Sequence, residues 1–228
     1  MLESLRSQVL EASLELARRG LAIYTFGNAS GISRGDGLVV IKPSGVPYET
    51  MRPEDLTIVD LDGRIVEGAL RPSSDLATHL VLYRALPRLG GVVHTHSRYA
   101  TAWAQAGREI PCFGTTHADY FHGPVPVTEA LAAGEIESDY EANTGRAIVR
   151  RLKTLEDLPS AVLVASHGPF AWGTSPLEAV HNAVILEEIA QMACYTLAVN
   201  HAAEPIGSPL LNRHFFRKHG PGATYGQG

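Results

Sequence analysis

The chain has 228 residues, 45% of them hydrophobic and 19% charged, which fits an ordinary globular domain that needs no disulfide staple. A formal net charge of −5 gives no electrostatic case for nucleic acid or an anionic membrane as partner. The opening Met1-Leu2-Glu3-Ser4-Leu5-Arg6 is too polar for a signal sequence, Glu187 and Glu188 interrupt the longest apolar segment, and Cys112 and Cys194 stand in no paired-ligand spacing, so a cytoplasmic protein with reduced thiols is expected.

Along the chain, Leu5, Val9 and Leu16 fall near helical spacing, and Gly20 stands where a helix would be capped. Strands are predicted over 29–33 and 38–41 around Arg34-Gly35-Asp36-Gly37, and a second hairpin over 56–60 and 64–67. Ser73-Ser74-Asp75 should open a helix through Leu86, with serine and aspartate side chains satisfying its free amides. Gly91-Val92-Val93 reads as a strand that runs into His94-Thr95-His96, followed by helices near 97–106 and within 139–153. A strand over 161–165 should pair with 169–172. Ser175-Pro176-Leu177-Glu178 is a capping box with proline in the first turn and predicts a long helix from 176 to about 199. Beyond Pro205 the sequence reads as a polar tail rich in glycine and histidine. Together these elements predict an α/β fold, a single domain over 1–228 with helices around a mixed or mostly antiparallel sheet.

His94 and His96 are two apart on a strand and therefore project to the same side. His167, followed by Gly168-Pro169, ends another strand at a rim and offers a third imidazole. Three histidines with an open fourth position describe a catalytic rather than a structural zinc site, and no cysteine lies near them in sequence. His79, His181 and His201 are weaker candidates, placed on or just beyond helices. A phosphate pocket is also legible. Ser73 and Ser74 stand at a helix start, Lys42-Pro43-Ser44-Gly45 adds an ammonium, a hydroxyl and a close-approach glycine, and Gly27-Asn28 can add a donor.

Val93-His94-Thr95-His96-Ser97, Lys42-Pro43-Ser44-Gly45, Pro72-Ser73-Ser74-Asp75 and Ser166-His167-Gly168-Pro169-Phe170 resemble the class II aldolase/epimerase superfamily. Thr115-Thr116-His117-Ala118-Asp119-Tyr120-Phe121 and the ending Tyr225-Gly226-Gln227 are similar, within it, to the L-ribulose-5-phosphate 4-epimerases. The resemblance spans nearly the whole chain. It implies a three-layer fold and a Zn²⁺ held by His94, His96 and His167, with Mn²⁺ or Co²⁺ as substitutes and Asp75 as a weak or outer ligand. It implies that Asn28, Lys42, Ser44, Gly45, Ser73 and Ser74 surround a sugar phosphate. It assigns proton transfer to Asp119 and Tyr225, tuned by neighbours such as His214, and places Glu141 and Thr115 near the site. It further implies a C4 homotetramer in which the tail, about 205–228, completes a neighbouring subunit's site. Departures are Phe26 where a tryptophan is usual, and Thr224 where a first tail tyrosine is often found.

The implied chemistry is coherent. The C4 proton of a pentulose 5-phosphate is not α to the C2 carbonyl, so direct deprotonation does not readily invert C4. Retro-aldol cleavage of C3–C4 yields an enediolate and glycolaldehyde phosphate; rotation of the aldehyde and re-addition give the opposite configuration. Lewis-acid stabilisation of the developing charge is the metal's part, and groups on both faces must handle the C4 oxygen's proton. Two alternatives stand beside this reading. One is an aldolase of the L-fuculose-phosphate type, although such aldolases typically carry glutamate where Asp75 stands. The other is a non-catalytic module like the adducin head, which should lack the metal histidines.

Overall fold

The computed structural model describes residues 2–220 and 222–224. In chain order it contains α1 (Glu3–Arg18), β1 (Asn28–Ser33), β2 (Leu38–Ile41), β3 (Thr57–Asp60), β4 (Ile65–Glu67), α2 (Leu76–Ala85), β5 (Gly91–His94), α3 (Arg98–Gln105), α4 (Thr115–Ala118), α5 (Ala133–Glu137), α6 (Tyr140–Leu152), β6 (Ala161–Val164), β7 (Gly168–Gly173), α7 (Pro176–Val199) and α8 (Ser208–Phe216). The strands form one sheet in the order β4-β3-β2-β1-β5-β7-β6. Every neighbouring pair is antiparallel, which resolves the mixed-or-antiparallel expectation.

Helices cover both faces of this sheet. Val93 and Ala171 pack with Trp103, Leu186 and Ile189 on the α1/α3/α7 side, while Val92, Phe170 and Trp172 pack with Leu82, Tyr83 and Ile148 on the α2/α6 side. Burial on both faces explains why β5 reads as an unbroken apolar run rather than an alternating one. The arrangement is the expected three-layer one.

Local signals account for most boundaries. Gly20, at φ +70°, follows the last turn of α1, a conformation that costs glycine little. At α7 the Ser175 hydroxyl accepts the Glu178 amide at 3.2 Å, as the capping box requires. The Glu178 carboxylate, however, takes the Thr174 amide at 2.7 Å, one residue earlier than the motif predicts.

Two expectations need correction. The polar tail contains α8, whose Ser208-Pro209 start supplies a first-turn proline. Asp75 occupies the N-cap of α2 without capping it through its side chain, because its carboxylate instead accepts the Asn28 amide at 2.6 Å. Among the described residues no helix is long and apolar enough to cross a membrane.

Candidate metal centre and phosphate pocket

β5 lies between β1 and β7, with Asn28 and Phe170 as the register partners of His94. The strand ends there, because the chain bends through Thr95 to enter α3. His94 is 1% exposed and its ring stacks on Phe170, centroids 4.2 Å apart and planes 18° from parallel. Its Nδ1–H donates to the Pro169 carbonyl at 2.9 Å, leaving Nε2 with its lone pair directed away. That Nε2 is 3.1 Å from His96 Nε2. His167, in the turn between β6 and β7, joins them, with candidate ligand atoms of all three within 4.8 Å of one another.

Backbone approach fixes the end of β5 from both sides. A side chain on Gly27 would come within 2.8 Å of the His94 carbonyl oxygen, and one on Gly168 within 2.8 Å of the Thr95 carbonyl oxygen. Only glycine allows strands and loop to close so tightly here. His167 follows Ser166, a non-glycine residue at φ +60°.

Electrostatics suit a cation. Burial, followed by the neighbouring His167 and His96, holds His94 well below the ordinary imidazole range. His167 is lowered by burial and by His96, with Asp75 and Glu141 pulling the other way. Neutral imidazoles are the metal-binding form, and ligand nitrogens about 2.0–2.1 Å from a tetrahedral zinc lie roughly 3.3 Å apart, close to the His94–His96 spacing. The donor set therefore fits a divalent metal, and a backbone carbonyl behind His94 is the usual second contact of such a ligand.

Asp75 is not within this ligand group, although its charge bears on His167 and on Tyr140. Glu141, in the first turn of α6, bears on the same two residues. The Tyr140 hydroxyl lies 3.2 Å from His167 Nδ1. Sequence reading passed over Tyr140 and Phe170; their positions beside Glu141 and two residues past Gly168 were the available clues.

Of the six phosphate candidates, Asn28 opens β1 beside His94, and the other five lie on two loops that meet next to it. Asn28 Nδ2 donates to Ser73 Oγ at 2.9 Å as well as to Asp75, and an antiparallel bridge joins Pro43 to Pro72. The Ser73 amide is used on the Lys42 carbonyl and the Ser44 amide on that of Arg71. This corrects the expectation that the Ser73 amide is free. Among the described residues the Gly45 and Ser74 amides make no such bond, and both residues are exposed. Lys42 is 1% exposed and, among the described residues, its ammonium meets neutral groups, the Pro43 carbonyl at 3.2 Å and the Tyr48 ring at 4.7 Å. Burial pushes its ammonium down to about 8, the environment of a cation prepared for an anion.

Asp119, Thr115 and His214 form a separate group at the contact between α4 and α8. Asp119 Oδ1 lies 3.0 Å from His214 Nδ1 and accepts from Arg217, whose Nη2 also reaches Oδ2 at 2.8 Å; Lys218 Nζ is 3.3 Å from Oδ2. The Asp119 amide donates to the Thr115 carbonyl at 2.9 Å. Burial would raise this carboxyl, but Arg217, His214 and Lys218 outweigh it and hold it at about 2. Tuning toward neutral pH, which proton transfer at C4 calls for, is thus absent in this arrangement. Thr115 borders a cavity of about 260 Å³ with Phe113, Ile189 and Met192, whose lining includes none of His94, His96 and His167. Among the described residues no hydrogen bond or ion pair ties this group to the trio. Tyr225 lies outside the described residues; Thr224 before it donates its amide to the Arg217 carbonyl at 2.9 Å.

The chain matches the family described as Class II Aldolase and Adducin N-terminal domain over residues 7–194. It is 56% identical, over 227 residues, to the L-ribulose-5-phosphate 4-epimerase UlaF of Salmonella paratyphi C (strain RKS4594), covering 99% of this chain and 100% of that one. Among solved structures it is similar to an L-fuculose 1-phosphate aldolase, with a TM-score of 0.79 at 24% identity over 94% of this chain and 95% of that one. The L-fuculose-1-phosphate aldolase of Thermus thermophilus gives a TM-score of 0.70 at 28% identity, covering 89% and 100% respectively.

Proposed function

The chain belongs to the class II aldolase and adducin N-terminal domain family, and from that membership we propose that it is an L-ribulose-5-phosphate 4-epimerase, interconverting L-ribulose 5-phosphate and D-xylulose 5-phosphate. The observation that carries this reading is full-length identity of 56% to a protein of that name, supported by the clustered histidines. A metal-free adducin-like module has no need of such a cluster.

In this reading His94, His96 and His167 hold Zn²⁺, with Mn²⁺ or Co²⁺ able to replace it, and Asp75 stands behind them as an outer ligand. When bound, the metal supplies Lewis-acid stabilisation of the charge that develops as C3–C4 breaks. Lys42, buried and otherwise facing neutral groups, neutralises the 5-phosphate. Asn28, the Ser44, Ser73 and Ser74 hydroxyls and the Gly45 and Ser74 amides complete the grip. That grip keeps the two-carbon aldehyde in place while its carbonyl turns, so that recombination remains intramolecular.

Asp119 and Tyr225 exchange the C4 oxygen's proton, one on each face, with His214 holding Asp119 and with Thr115 and Glu141 bordering the reacting atoms. Because His214 on α8 and Arg217 and Lys218 just beyond it bind Asp119, the tail and Asp119 travel together, and both serve a neighbouring copy's histidines in a cytoplasmic C4 homotetramer. Binding of Asp119 into that site would loosen its contact with Arg217 and let its pKa rise. Aldol cleavage alone is the second reading, favoured by the likeness to the Thermus thermophilus aldolase.

Incubation with L-ribulose 5-phosphate tests the proposal. D-Xylulose 5-phosphate should accumulate, stop forming after chelation and return with zinc. Accumulation of glycolaldehyde phosphate without the epimer would indicate the aldolase, and no turnover by fully metal-loaded protein would rule out both.

A further inference from the structure

Beneath the histidine pocket lies a buried polar string with no part in the scheme above. Ser30 Oγ is 2.7 Å from His79 Nδ1 and 2.8 Å from the Tyr83 hydroxyl. Ser30, His79 and Tyr83 are each 0% exposed. His79 and Tyr83 stand one turn apart on α2, so both reach one hydroxyl on β1.

Counting hydrogens fixes this string. Among the described residues Ser30 Oγ is the one acceptor within reach of the Tyr83 hydroxyl, so the buried tyrosine hydrogen is satisfied only if it goes there. Ser30 then has one hydrogen to give, and His79 Nδ1 must accept it. A protonated Nδ1 would leave the serine hydrogen without a partner. The imidazole therefore carries its proton on Nε2, and that atom is buried with no partner among the described residues.

Its surroundings point to one recipient. Asp75 lies one turn before His79, its carbonyl accepting the His79 amide at 3.2 Å, and its carboxylate charge bears on the ring. Asn28, two residues before Ser30 and on the same face of β1, donates to Asp75 Oδ2 at 2.6 Å, while its own Oδ1 is buried without a partner. The Asn28 amide thus holds the carboxylate whose charge bears on the His79 ring, one helical turn away.

We propose that His79 is a positioning residue whose Nε2–H serves the Asp75 carboxylate through one buried water shared with Asn28 Oδ1, and so holds Asp75 against the metal-binding histidines. The proposal rests on the trio binding a divalent metal, but not on the identity of the sugar substrate. Buried donors behind a ligand shell commonly change metal affinity by about 10–100-fold.

Long-range ¹H–¹⁵N correlation on histidine-labelled, metal-free protein reads the tautomer, with the His79 signals assigned by their loss in His79→Gln. The Nε2-protonated pattern is expected; an Nδ1-protonated one overturns the proposal. Zinc affinity, measured against a chromophoric chelator, gives the second arm. His79→Gln extends an amide to the Nε2 position and should bind zinc within about threefold of the parent, whereas His79→Asn reaches only Ser30 and should bind about 10–100-fold more weakly. Equal affinities in the two variants, whether both reduced or both intact, overturn the donor role. If His79→Asn does not fold, Asp75→Asn must shift the His79 Nε2 resonance, and an unmoved resonance overturns the proposal. None of these measurements reads epimerisation, so failure here is distinct from failure of the assigned reaction.

Discussion

At the end of β5, His94 sits buried as a neutral base, whereas at the α4–α8 contact Asp119 sits as an ionised carboxylate bound by Arg217, Lys218 and His214. The first region is held by main chain, since three neighbouring strands and the Pro169 carbonyl set the rings. The second is held by side-chain charge between residues 95 to 99 apart in sequence. The contrast separates two tasks. Burial keeps His94 neutral with no counter-ion beside it, while Asp119 is held ionised by counter-ions, as suits the proton-transfer role proposed for it.

The largest expected effect tests that separation. Asp119→Asn should lower epimerisation by about 10²–10⁴-fold, the usual worth of a proton-transfer group, and lower retro-aldol release of glycolaldehyde phosphate less. Metal per subunit, measured on the same samples, should be unchanged; a loss of zinc would join the two regions that the geometry keeps apart.

A smaller effect concerns the buried cation on the metal side. Lys42→Met should weaken phosphate-dependent binding by about 10–100-fold, the equivalent of a charged hydrogen bond of about 1.5–3 kcal/mol. In the parent protein, inorganic phosphate should bind more weakly as pH rises through about 8, because Lys42 then loses its proton. Calorimetric titration across that range should show the inflection in the parent and none in Lys42→Met.

The smallest effect is on stability of metal-free protein in acid. Burial lowers His79 to about 3 and His117 to about 4, both below the roughly 6.5 of an unfolded histidine. The unfolded chain therefore takes up the protons, and stability present above about 6.5 is lost as pH falls toward the folded values, by up to about 1.4 kcal/mol per pH unit for each ring. Asp119 is lowered instead to about 2, so its contribution persists down to roughly 3.9 and is lost only as pH falls through the folded value. Urea unfolding between pH 7 and 5 should give parallel slopes for the parent and Asp119→Asn. A shallower slope in the variant would mean that the two regions titrate together.

Much of this was legible from residue types alone. Ser175-Pro176 with Glu178 located the start of α7, and the apolar run of β5 leading to two alternating histidines located the pocket. Lys42 and Ser73 were recognisable as parts of one pocket only because their loops match a known motif, since nothing in their spacing predicts the Pro43–Pro72 bridge. What escaped was set by tertiary contact. Asp75 looked like a cap because local pairing is what sequence displays, and the competing Asn28 amide arrives from 47 residues away. Arg217 and Lys218 belong to a stretch that reads as tail, and their counter-ion lies nearly a hundred residues earlier. The tautomer of His79 depends on Ser30 of β1 and Tyr83 of α2, a combination with no sequence period.

Gly27 and Gly168 carry one more consequence. With no side chain to hold them apart, the loop before β1, the end of β5 and the turn bearing His167 are locked together when the chain folds. The conformational entropy of gathering the imidazoles is therefore lost during folding and not when an ion arrives. An incoming ion meets ligands already converged, so its uptake should be governed by shedding its own water more than by any movement of the protein. An alanine at either glycine would undo this, slowing capture while leaving every ligand in place.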